Sequence, residues 1–241
     1  MMLQNIKNRL DVVAVLLVII GVGLIQSSTV LGGDQSLFVV IAQLLDSGKT
    51  LYKDLFDYKQ PGIFLFYLLA GKTFGWSDIG IHLFELGYWI LFSLILFSCI
   101  RNCSLFRADY FNSLLPLFII GAYYGNATIF HLTQLEALIN FPLFLIVWLL
   151  DRAYKTESGL FVTYLVIGVL IGIVLLSKLV FSPIIFFFLL IHFIFTLKSK
   201  DIKYIFVKQI IPLCIGFVIP LSVFLSYIFI HQIENLIVDI Y

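Results

Sequence analysis

Three polar clusters interrupt an otherwise lipid-like sequence, and their residue types are those of proton transfer and phosphate binding. The first runs from Gly33-Asp34-Gln35 to Asp57-Tyr58-Lys59-Gln60-Pro61, the second from His131 to Glu136, and the third is Ser177-Lys178. Asp34 stands just beyond the first apolar run. A carboxylate partly buried there, between water and lipid, suits the work of taking a proton from a hydroxyl. An equally good reading makes Asp34 a helix cap, because it precedes the amphipathic stretch Ser36 to Leu45.

Asp57 and Lys59 come just before Pro61, a residue that suits the first turn of a helix. A lysine beside the free N–H groups of a helix start offers a place for a phosphate, and a lysine snorkelling to lipid headgroups is the alternative. Glu136 has a matching pair of readings: it lines a site together with Gln134, or it complements the dipole of the helix it opens. Lys178 caps a helix C-terminus or faces a phosphate. His131 alone is a weak metal candidate, and Asp46, Lys49, Lys53 and Asp54 read as a solvated face. No phosphate-binding Gly-rich loop, Gly-x-Ser-x-Gly, His-Glu-x-x-His or Asp-x-Asp pattern occurs, so nucleotide-dependent and zinc-hydrolase chemistry lack a motif.

The elements that carry these clusters are membrane helices. The chain of 241 residues is 61% hydrophobic and only 12% charged, far too apolar for a water-soluble domain. A net charge of +1 with no basic tract argues against a nucleic-acid partner. Cys99, Cys103 and Cys214 sit in or beside apolar runs and read as small buried hydrophobes. Apolar runs at 11–31, 80–100, 112–130, 137–150, 160–177, 182–197 and 209–230 are candidate spans. The run from Pro61 to Phe74 is too short and reads as a juxtamembrane helix.

Positive charge orients the chain. With the N-terminus cytoplasmic, Lys7, Arg9, Arg101, Arg107, Arg152, Lys155, Lys198, Lys200, Lys203 and Lys208 all fall inside. The loop 32–60, the His131–Glu136 turn and Lys178 then share the external face. The expected fold is all-α and polytopic: about seven spans, with interfacial helices in the first external loop, forming one integral-membrane module over 1–241. A signal peptide is the alternative for the first run. Gly121-x-x-x-Gly125 and Gly168-x-x-x-Gly172 read as sites of close helix packing.

In order and spacing the clusters resemble the dolichyl-phosphate-mannose protein mannosyltransferase superfamily of GT-C fold, in its bacterial, aminoarabinose-transferase-like branch. The matching pieces are Gly33-Asp34-Gln35, Leu51 through Gly62, Thr133 through Leu138, and Gly168 through Lys178. The resemblance implies inverting transfer of a sugar from a polyprenyl-phosphate donor to a glycan, lipid or protein acceptor at the outer face of a bacterial inner membrane. It implies that Asp34 is the catalytic base and that Lys59, with Lys178, meets the donor phosphate; Asp57, Gln134 and Glu136 would line the substrate or order the loops. The sequence departs from the family pattern at Gln35, where an acid is common, and at Lys59-Gln60-Pro61, where Lys-Pro-Pro is usual. Family members are also longer, which makes this chain look like a truncated or inactive version. No cofactor is expected, with a divalent metal left as an alternative. The competing class is a transporter or lipid-linked-sugar flippase.

Overall fold

The computed structural model describes residues 2–100, 114–128, 130–156 and 159–240, with side chains for 10–99, 114–128, 130–156 and 159–237. Arg101, Cys103 and Arg107 lie outside the described residues, as do the side chains of Lys7 and Arg9. The described chain is helical apart from its connecting loops. In order it forms α1 (Met2–Gln26), α2 (Asp34–Asp46), α3 (Pro61–Phe74), α4 (Asp78–Ile100) and, after a π-helical turn at Leu117–Gly121, α5 (Ala122–Asn126). Then come α6 (Leu135–Leu138), α7 (Asn140–Lys155), α8 (Leu160–Ser177), α9 (Ser182–Leu197), α10 (Ile202–Ile205), α11 (Ile211–His231) and α12 (Glu234–Ile240).

Among the described residues five helical stretches are long and apolar enough to cross a membrane: Asp78–Cys99, Leu135–Lys155, Leu160–Ser177, Leu179–Leu197 and Ile202–His231. Leu10–Gln26, Pro61–Phe74 and Leu114–Asn126 are shorter apolar helices. Hence α3 has the limits that the sequence predicts, whereas the first apolar run leaves the helix earlier than residue 31. The reason is local. The hydroxyls of Ser27, Ser28 and Thr29 donate to the carbonyls of Leu24, Ile25 and Gln26 at 2.8, 2.8 and 2.7 Å, closing the last turn of α1.

The chain packs as two compact units, one of residues 1–46 and 66–137, the other of 47–65 and 138–241. In the first, α1 packs on α4 at Gly23, where a Cβ would strike Leu86. The buried face of α2 consists of Gln35, Phe38, Val39, Ile41 and Ala42, a helical stripe whose one polar member is Gln35. Phe38 meets Tyr67 edge to face with ring centroids 5.4 Å apart.

In the second unit, α8 and α11 approach to backbone contact. A Cβ on Gly168 would lie 2.7 Å from the Phe217 amide nitrogen, and one on Gly172 would lie 3.1 Å from the Phe217 carbonyl oxygen. Gly216 gives the same clearance from the α11 side against Leu165. The expected packing role of Gly168 and Gly172 is therefore realised, as small residues permit in lipid. Gly121 and Gly125 differ. A Cβ on Gly121 would meet only Leu117, one turn back in its own helix, and one on Gly125 would meet nothing within 4 Å. Their spacing serves no helix pairing among the described residues.

Around the core of Ile146, Leu150, Tyr164, Ile167, Ile171 and Val174, the outward surface is apolar as well. On α9 alone Ile184, Phe186, Phe187, Leu190, Ile191, Ile194 and Phe195 are exposed. Such a surface is a liability in water and the normal boundary of a protein in lipid. Cys99 is buried as expected, but Cys214 is exposed, because it lies on the outward side of α11 rather than against α8.

Candidate functional site

In the first unit a cavity of about 560 Å³ is lined by Asp34, Tyr123, Asn126, Ala127, Phe130, His131, Gln134, Glu136 and Ala137. Three of the residues singled out in the sequence, Asp34, Gln134 and Glu136, thus meet at one place although a hundred residues separate them. Asp34 is the first residue of α2, after Gly33 at φ 57°, a left-handed turn that lets the chain reverse into the helix. It is an acid in the first turn of the helix and also part of the cavity wall. Its side chain is exposed, and the partial burial expected of it is not supplied by protein. Glu136 is the second residue of α6, the acid of its first turn.

The two walls are tied together by Gln35. Its Nε2 donates to the Leu132 carbonyl, and its Oε1 accepts from the Gly32 N–H at 3.1 Å. Gln35 is fully buried. The opposite wall is a sequence of tight turns: the His131 and Leu132 amides both donate to the Thr128 carbonyl, at 2.8 and 3.3 Å. His131 Nδ1 lies 2.7 Å from the Thr128 hydroxyl, and Gln134 Nε2 donates to the Phe130 carbonyl at 3.1 Å. Among the described residues no three His, Cys, Asp or Glu side chains converge as a metal site requires.

Beneath this wall lies a residue that the sequence reading passed over. Glu85, on the membrane-length helix α4, is fully buried, and His82 one turn earlier is buried beside it. The carboxyl collects four donors, Trp89 Nε1 at 3.3 Å, the Tyr123 hydroxyl, the Thr133 N–H at 3.0 Å and the Thr133 hydroxyl at 2.9 Å, and lies 3.3 Å from His82 Nδ1. His82 Nε2 reaches the Thr29 hydroxyl at 3.3 Å. The signal available in the sequence was a lone acid and a histidine three residues apart inside an apolar run, the kind of placement that lipid penalises unless it is used.

Asp57, Lys59 and Lys178 belong to the second unit. The loop 47–60 is fastened at several points. The Leu51 N–H donates to the Tyr227 hydroxyl at 2.7 Å, Thr50 Oγ1 lies 3.2 Å from His231 Nδ1, and the Tyr52 hydroxyl donates to the Lys59 carbonyl at 2.8 Å. Asp57 Oδ1 accepts the Lys59 N–H at 2.9 Å, so Asp57 shapes the turn that delivers Lys59 to the start of α3. Lys178 follows the last residue of α8 in extended conformation, its N–H still bonded to the Val174 carbonyl at 2.8 Å. Gly62, in the first turn of α3, touches Ser177: a Cβ there would lie 2.7 Å from the Ser177 Cα. The start of α3 and the end of α8 are therefore in contact, with Lys59 preceding one and Lys178 following the other.

Asp54, read as part of a solvated face, accepts the Thr50 N–H at 2.8 Å, and Asp46 pairs with Lys72 at 2.8 Å. Comparison of the chain with protein-family models, with curated proteins and with solved structures gave no match.

Proposed function

We propose that this chain is an inverting glycosyltransferase of the membrane. It moves a sugar from a polyprenyl-phosphate donor to a hydroxyl acceptor at the external face of a bacterial inner membrane. In this reading the chain crosses the membrane seven times, from a cytoplasmic N-terminus, and α3 lies along the surface. The donor class comes from the resemblance of the clusters to the GT-C superfamily. The observation that carries the reading is the cavity: two carboxylates, two side-chain amides and the rings of Tyr123 and Phe130 around about 560 Å³. Carboxylates and amides suit vicinal hydroxyls, ring faces suit the C–H surface of a sugar, and the volume is that of a small-molecule site.

Asp34 takes the proton of the acceptor hydroxyl. The acceptor oxygen bonds to the anomeric carbon while the bond from that carbon to the phosphate oxygen breaks, with inversion. The lipid phosphate leaves with the electron pair, and the resemblance assigns the stabilisation of its charge to Lys59 and Lys178. A phosphate leaving group needs no general acid, so one base suffices. Gln134 and Glu136 hold the sugar.

A second reading, a proton-coupled transporter, is favoured by one observation, the buried Glu85 in a membrane-length helix. Neither Glu85 nor His82 lines the cavity itself; the cluster reaches it through Tyr123, which donates to Glu85 and stands in the cavity wall. Asp34→Asn tests the transferase reading, with an undecaprenyl-phosphate sugar as the probe in reconstituted membranes. Removing a general base costs roughly 100- to 10,000-fold in rate. Donor binding should persist while transfer collapses; normal transfer would show that Asp34 only opens a helix.

A further inference from the structure

Thr133 is where backbone strain and polar burial coincide. It is a fully buried β-branched residue at φ 54°, a left-handed backbone that such residues rarely adopt. Conformations of this kind persist only where the surroundings over-determine them. At Thr133 they do. Its N–H is shared between Glu85 Oε1 at 3.0 Å and the Tyr123 hydroxyl at 2.9 Å, its hydroxyl donates to Glu85 Oε2 at 2.9 Å, and its carbonyl accepts the Tyr67 hydroxyl at 3.1 Å. The left-handed residue reverses the chain, and Gln134, Glu136 and Ala137, which follow it, line the cavity.

We propose that Glu85 is a positioning residue. By gripping both the N–H and the hydroxyl of Thr133, it holds that residue left-handed and so fixes where Gln134 and Glu136 stand around the Asp34 cavity. The catalytic consequence rests on the transferase reading; the grip on the backbone does not. A carboxyl is required because both of its oxygens face donors. In the Gln variant one oxygen becomes an NH₂ group, which turns a donor toward other donors at one end of the side chain.

The test is amide hydrogen exchange on the detergent-solubilised full chain for wild type, Glu85→Gln, Thr133→Gly and the double variant. Loss of the grip should speed exchange at 131–137 by about tenfold relative to α4, the equivalent of about 1.4 kcal/mol. In the Glu85→Gln background, Thr133→Gly should restore protection, because glycine takes φ 54° without strain. In the wild-type background the same change should lower protection, because the hydroxyl contact is lost. That reversal of sign separates positioning from mere packing, for which the two changes would add. Unchanged exchange at 131–137, equal loosening of α4, or additive effects would overturn the proposal.

Should Glu85→Gln fail to fold, Thr133→Ala and Thr133→Gly carry the test. Both remove the hydroxyl, but only glycine tolerates the conformation, so equal protection in the two would overturn the proposal. The sugar-transfer assay keeps the two readings apart. The expected exchange pattern in a wild type that transfers no sugar supports the positioning role and sinks the transferase. Normal transfer and unchanged exchange in Glu85→Gln would do the reverse.

Discussion

Replacing Gln35 by Glu changes one atom type at a fully buried position and should be among the costlier substitutions in the chain. The amide of Gln35 does two opposite things: Nε2 donates to the Leu132 carbonyl and Oε1 accepts from the Gly32 N–H. A carboxylate keeps the second bond and converts the first into two oxygens facing each other. One hydrogen bond is lost, worth about 1 kcal/mol net, and the buried Leu132 carbonyl is left unsatisfied at about 1–3 kcal/mol more. A total of about 2–4 kcal/mol corresponds to a fall in Tm of roughly 5–15 °C for a chain of this size. The protonated acid can donate to Leu132, so its folded-state pKa should lie above the ordinary Glu value of about 4.3. Stability is then retained below that value and lost as the pH rises through the folded one. Thermal unfolding of the purified protein at pH 5 and pH 8 reads both effects. A variant as stable as wild type at pH 8 would mean that Gln35 does not tie the cavity walls together.

Three further outcomes follow from other parts of the chain. Lys59→Met should weaken binding of an undecaprenyl-phosphate sugar by about 1.5–3 kcal/mol, the size of a lost charge-assisted contact, without affecting membrane insertion; unchanged affinity would make Lys59 a headgroup anchor. Single cysteines at Ser47 and Ser199, both exposed, should label from opposite sides of the membrane in a cysteine-free background, Ser47 from outside; labelling from one side would overturn the orientation argument. Gly168→Leu should drive α8 and α11 apart and lower thermal stability by more than Gly121→Leu, since only the first site abuts neighbouring backbone; equal effects would refute the packing assignment.

The helices were legible because lipid imposes a simple rule, and runs of apolar residues obey it. The limits of α3 were legible for the same reason, with Pro61 marking the start. What the sequence concealed depends on partners far along the chain. Gln35 looks like a departure from an acidic pattern until its acceptor, the carbonyl of Leu132, is known. Gly121 and Gly125 have the spacing of a packing motif, but among the described residues no helix comes close to the glycines themselves, whereas Gly168 and Gly172 meet one. Spacing along one helix says which residues share a face, not whether a second helix meets that face. Glu85 was hidden by its neighbours, since an apolar run absorbs a single acid without losing its membrane character.

Burying a carboxyl, a histidine and a strained threonine together costs stability that an apolar core would not, because every group must be desolvated and then fully paired. The pairing here converges on one short turn. Glu85 and Tyr123 meet the Thr133 amide, Tyr67 takes its carbonyl, and Gln35 takes the carbonyl of Leu132. Ordinary helix packing would leave a turn of this kind free to move, as loops at membrane surfaces do. Hydrogen bonds have direction where apolar contacts do not, so four of them on two consecutive residues fix the turn's orientation as well as its depth. Gln134 and Glu136 follow directly from it, and Asp34 precedes the residue that grips it. The most expensive polar burial in the first unit therefore sits under the wall of its cavity, where rigid placement of side chains has the greatest chemical value.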